Sequence, residues 1–120
     1  MNDYELTNQL YAFMQSIPVL WTWDRLAELH APRQPHQESR GPEDNQLTFE
    51  LDVLENSAEG GRPYLHIGIS VSDLSRKKDT GAGSAWSPLC TSFLWYQDGE
   101  SDMPTGWEIF EDAFRRDGQQ

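Results

Sequence analysis

The chain has 120 residues, of which 37% are hydrophobic, and 20 acidic residues against nine basic ones give it a formal charge of −11. That length suits one domain with a single core, and an imbalance of that size repels nucleic-acid phosphates and anionic membrane surfaces while favouring a basic partner. Cys90 is the only cysteine, so no intramolecular disulfide can form; with an acidic start at Met1-Asn2-Asp3-Tyr4-Glu5 and no run of roughly 20 apolar residues, a cytoplasmic setting without a membrane span is expected.

Leu6, Leu10, Phe13, Met14 and Ile17 fall on one helical stripe, which predicts a first helix capped by Asn2 or Asp3 and ending near Ile17, because Pro18 lacks an amide proton. Thr22 can cap a shorter second helix reaching His30, with Trp23, Leu26 and Ala27, and with His30 at its margin, on the apolar side. Residues 31–46 are polar and punctuated by Pro32, Pro35, Gly41 and Pro42, which predicts an exposed connection.

Strict alternation then begins. Leu47, Phe49, Leu51 and Val53 oppose Thr48, Glu50 and Asp52, and after a turn within Glu55 to Arg62 a second strand sets Leu65, Ile67, Ile69 and Val71 against Tyr64, His66, Gly68, Ser70 and Ser72. The two read as an antiparallel hairpin. A loop is expected at 73–87, followed by a third strand from Pro88 or Leu89 to Tyr96. In it Leu89, Thr91, Phe93 and Trp95 or Cys90, Ser92, Leu94 and Tyr96 face inward, the first set having the larger apolar area. Trp107, Phe110 and Phe114 predict a last helix over about 105–116, capped by Thr105, with Trp107 and Trp95 in the core. The expected architecture is α+β: a three-stranded or slightly larger antiparallel sheet, with two N-terminal helices and one C-terminal helix packed on one face.

Reaction centres are poorly supported. Cys90 with His66 as base is the sharpest catalytic pair, yet Cys90 sits within a strand and no family signature surrounds it. Asp98, Glu100 and Asp102 alternate like calcium-loop ligands, but Met103 stands where the turn needs glycine and Ile109 where it needs a bidentate carboxylate. His30 and His36 have no neighbouring cysteine for a zinc site, and Gly81-Ala82-Gly83 is followed by Trp86 where a dinucleotide loop needs its third glycine. Arg76-Lys77-Lys78 is a short basic run best read as solvating its loop. No cofactor and no metal are expected.

The collective feature is charge. From Asp79 to Phe114 there is no Lys or Arg, while Asp98, Glu100, Asp102, Glu108, Glu111 and Asp112 are acidic. Glu50 and Asp52 share the outward side of one strand with Tyr64 and His66 on the next, so carboxylates for steering and aromatic anchors at Tyr64, Trp86 and Tyr96 together suit protein binding. The expected partner-binding set is Glu50, Asp52, Tyr64, His66, Trp86, Tyr96, Asp98, Glu100 and Asp102.

In size, acidity and organisation the chain resembles bacterial immunity proteins. That resemblance implies a stoichiometric inhibitor that covers the surface of a basic toxin domain; no motif, and so no residue role, is carried over. The competing expectations are a small enzyme using Cys90 and His66, and an adaptor or assembly subunit.

Overall fold

The computed structural model describes residues 3–30, 35–41, 46–73 and 88–115. Helices α1 (Asp3–Leu20) and α2 (Trp23–His30) precede strands β1 (His36–Arg40), β2 (Leu47–Glu59), β3 (Arg62–Asp73) and β4 (Leu89–Tyr96), and α3 (Gly106–Phe110) runs into a π-helical turn at Glu111–Arg115. The fold is α+β, with one four-stranded antiparallel sheet in the order β1-β2-β3-β4.

The hydrophobic effect selects one face of that sheet. Leu47, Phe49, Leu51 and Val53 of β2, Leu65, Ile67, Ile69 and Val71 of β3, and Leu89, Phe93 and Trp95 of β4 are buried together with the α1 stripe, Leu26 and Ile109. Each such side chain contributes roughly 1.5–3 kcal/mol when fully buried. The inward set of β4 is therefore the one with the larger apolar area. Thr22 caps α2 by accepting from the Arg25 amide at 3.1 Å, and the Trp23 indole donates to the Trp95 carbonyl at 2.9 Å, fastening α2 to the sheet.

Four expectations change. Helix α1 passes through Pro18 to Leu20; the proline falls in the last turn, and the Trp21 amide still closes on the Ile17 carbonyl at 2.9 Å, so only a terminal hydrogen bond is lost. Within the expected connection, His36–Arg40 pairs with Leu47–Leu51 as an edge strand. Its side chains are polar, but the Arg40 guanidinium lies 5.5 Å from the centre of the Phe13 ring and 5.2 Å from that of Phe49, and His36 meets the edge of Trp21 at 5.0 Å. The β2–β3 turn narrows to Gly60-Gly61, whose φ values of 58° and 80° give the primed geometry that follows strand twist.

The fourth change concerns the last helix. Thr105 caps it through a reciprocal box with Glu108, but Ile109 is the residue sent to the core and Trp107 remains 48% exposed. Trp107 stacks on Phe110, which stacks on Tyr4 of α1 at 4.4 Å between ring centres. Helix α3 thus packs on α1, following a segment that pairs along β4: Trp95 bridges to Ser101, and the Asp102 amide donates to the Leu94 carbonyl at 3.2 Å. Residues 74–87, with Arg76-Lys77-Lys78, Gly81-Ala82-Gly83 and Trp86, lie outside the described residues, as do Asn2, Pro32, Pro42, Arg116 and the Phe114 side chain.

Candidate functional site: the outer face of the sheet

Directly opposed residues of an antiparallel ladder project to the same side, so the face turned away from the core can be read row by row. Gln37, Glu50, Ser70 and Cys90 form one row across all four strands; Asp52, Gly68 and Ser92 form the next; then Glu55, His66 and Leu94; then Ser57, Tyr64 and Tyr96. Small residues in the first two rows leave a depression. Its volume is about 680 Å³, with Gly68, Ser70, Cys90 and Ser92 at its base, Glu50, Asp52 and Leu54 on one side, and Asp102, Met103, Pro104, Glu108 and Asp112 on the other.

A bulge shapes the depression. The β2–β3 register shifts between Val53 and Glu55, so Leu54 and Glu55 both take the outer face. Leu54 rests on Gly68: a Cβ there would lie 3.0 Å from Leu54 Cδ1. Without a side chain at Gly68, Leu54 closes one wall. The bulge also resets the phase, and Glu55 and Glu59 join Glu50 and Asp52 on one side of β2.

Among the described residues five carboxylates line the depression, and no Lys or Arg does. Glu50 accepts from the Gln37 amide at 2.9 Å, Asp102 accepts from the Leu94 backbone amide at 2.6 Å, and Glu108 accepts from the Thr105 amide at 3.0 Å. These bonds orient three of the carboxylates without cancelling their charge. Among the described residues none of the five has an ion-pair partner, and no three His, Cys, Asp or Glu side chains converge closely enough to hold a metal ion.

At the opposite end of the face one cation is shared between two carboxylates. Arg62 donates to Asp98 at 2.8 and 3.2 Å and to Glu100 at 2.7 Å, and its guanidinium covers the Tyr96 ring at 3.7 Å. These bonds hold the Asp98 carboxyl below its ordinary range and the Arg62 guanidinium above its own. Tyr64 donates to Glu55 at 2.8 Å, which raises the phenol pKa, and meets Tyr96 edge-on at 6.0 Å. Glu50, Asp52 and Asp102 are thus brought together around the depression, whereas Tyr64, His66, Tyr96, Asp98 and Glu100 belong to this second cluster. Trp86 lies outside the described residues.

Cys90 and His66 share the face without meeting. Cys90 opposes Ser70 and His66 opposes Leu94, a separation of four strand residues or roughly 13 Å. Partial burial, and then the Glu50 charge, push the Cys90 thiol up. Both effects disfavour the thiolate that nucleophilic chemistry needs.

Leu54, Glu55, Glu59, Met103, Pro104, Glu108 and Asp112 were absent from the expected binding set. For Leu54, Glu55 and Glu59 the sequence signal is the break in alternation at Val53-Leu54-Glu55; Glu108 and Asp112 belong to the acidic stretch without Lys or Arg, and Met103 and Pro104 carry no signal of their own. No family model matches the sequence, and neither a curated protein nor a solved structure matches the chain.

Proposed function

We propose that this protein is a small acidic binding module that docks on a basic partner protein, acting as a stoichiometric inhibitor of the immunity type and working in the cytoplasm. The observation that carries the reading is the depression on the outer sheet face, lined by Glu50, Asp52, Asp102, Glu108 and Asp112, with no basic side chain among the described lining residues. Carboxylates gathered on one surface raise the association rate of a cationic partner and orient it. Leu54, Met103 and Pro104 supply apolar contact that can be desolvated beside them. The charge of −11 argues against nucleic acid and anionic lipid as the partner.

The test is capture of basic proteins encoded beside this chain, followed by titration of the purified pair. The expected result is a one-to-one complex that weakens as salt rises and loses about ten-fold or more in affinity in the Glu50→Gln/Asp52→Asn variant. A complex indifferent to salt and to both substitutions, or no complex with any basic protein, would overturn the reading.

A further inference from the structure

Strand β2 is longer than the strand that covers it. β1 pairs with Leu47–Leu51 alone, whereas β3 pairs with β2 as far as Glu59. Among the described residues no strand occupies the other edge of β2 beyond Leu51, and residues 54–59 are exposed. In an antiparallel strand alternate residues direct their N–H and C=O groups away from the existing neighbour, so this edge presents donors and acceptors of the kind an added strand would satisfy.

The side chains along the edge select the occupant. Glu55 and Glu59 project to the outer face, opposite His66 and Arg62 respectively, with Ser57 between them; Asn56 and Ala58 project to the other side. A directly opposed cation is favourable and a directly opposed carboxylate is not. A second copy pairing antiparallel about Ser57 would set Glu55 of each chain against Glu59 of the other, in molecules that each carry −11. The charges that discourage self-pairing are those that attract a basic strand.

We infer that the edge of β2 from Leu54 to Glu59 accepts an extended basic segment of a partner protein by strand addition, with Lys or Arg side chains opposite Glu55 and Glu59. The inference rests on the partner being basic and adds the conformation in which it binds. Backbone hydrogen bonds fix the added strand, and charge along the acidic side of β2 sets its composition. The row Glu50, Asp52, Glu55 and Glu59 would then run from the depression to the tip of the hairpin beneath one continuous partner surface.

The probe is a synthetic peptide alternating Lys and Val, added to the full chain while backbone amide exchange is followed. The expected result is at least about ten-fold slower exchange within Leu54–Glu59, lost when alternate peptide amides are N-methylated at unchanged charge. The Glu55→Gln/Glu59→Gln variant should bind the peptide about ten-fold more weakly. Equal binding by the N-methylated peptide, binding without slowed exchange in this segment, absence of binding, or dimerisation of the chain alone through this edge would each overturn strand addition. A natural basic partner that depends on Glu50 and Asp52 but leaves exchange at Leu54–Glu59 unchanged would overturn this inference and support the proposed function. Protection by the peptide with no basic protein partner to be found would do the reverse.

Discussion

The two faces of the sheet use the same backbone for opposite ends. Toward α1 and α2, Leu51, Leu65, Ile67 and Val71 are all but excluded from solvent; one residue away along each strand, Glu50, Asp52, Ser70 and Cys90 surround an open depression. Strand alternation is what keeps these environments apart. The core face can therefore set stability while the outer face gathers carboxylates around the depression.

The largest test of that division substitutes neighbours in β2. Phe49 stacks on Phe13 at 4.8 Å and is 1% exposed, so Phe49→Ala should cost about 3–5 kcal/mol in urea denaturation. Glu50→Gln next to it should change stability by no more than about 0.5 kcal/mol. Comparable losses at both positions would mean that the outer face is structural after all.

A smaller effect sharpens the view of the far wall, which depends on α3 starting at a fixed place. Thr105→Ala removes the hydroxyl that accepts from the Glu108 amide at 3.1 Å and should cost about 1 kcal/mol. Partner affinity should fall with it, because the first turn of α3, which carries Glu108, is then held only by the remaining bond from the residue 105 amide to the Glu108 carboxylate. Retained affinity with reduced stability would remove Glu108 from the binding surface.

The smallest effect concerns the Arg62 cluster. The Arg62 guanidinium holds Asp98 below its ordinary pKa of 3.8, so the folded state binds that proton less readily than the unfolded chain does. Its stabilising contribution is present above the unfolded value and fades as pH falls toward the depressed folded one. In urea midpoints the deficit of Asp98→Asn relative to the native chain should accordingly be seen at neutral pH and shrink below about pH 4. A deficit that grows on acidification would contradict the assigned pairing.

Residues that alternate or recur with a sharp period were legible directly. Leu47 to Val53, Leu65 to Val71 and the α1 stripe declare their buried sides because hydrophobic burial is periodic along the chain. Thr22 and Thr105 marked helix starts because the amides they cap are close in sequence. His36–Arg40 gave no such signal, since an edge strand is held by backbone pairing to residues it meets only after folding. Trp107 fitted an inward stripe as well as Ile109 does from the neighbouring angle, and the docking of α3 on α1 settled which of them is buried.

The candidate site was legible in half. Glu50 and Asp52 could be placed together because they stand two apart in one strand. Their meeting with Asp102, Glu108 and Asp112 required the chain beyond β4 to turn and pair back along Leu94 and Trp95. The opposite outcome for Asp98 and Glu100 depended on Arg62, distant in sequence but drawn against the same turn by the β3–β4 pairing.

Local order alone determined the helical and strand periods, the inward sides of the long strands, the caps and the sign of the molecular charge, because each depends on neighbours within a few residues. Tertiary structure decided which carboxylates gather around the depression, where Leu54 closes a wall and, among the described residues, how far β1 covers β2. Those outcomes depend on distances between residues far apart in the chain, and such distances exist only once the sheet has formed.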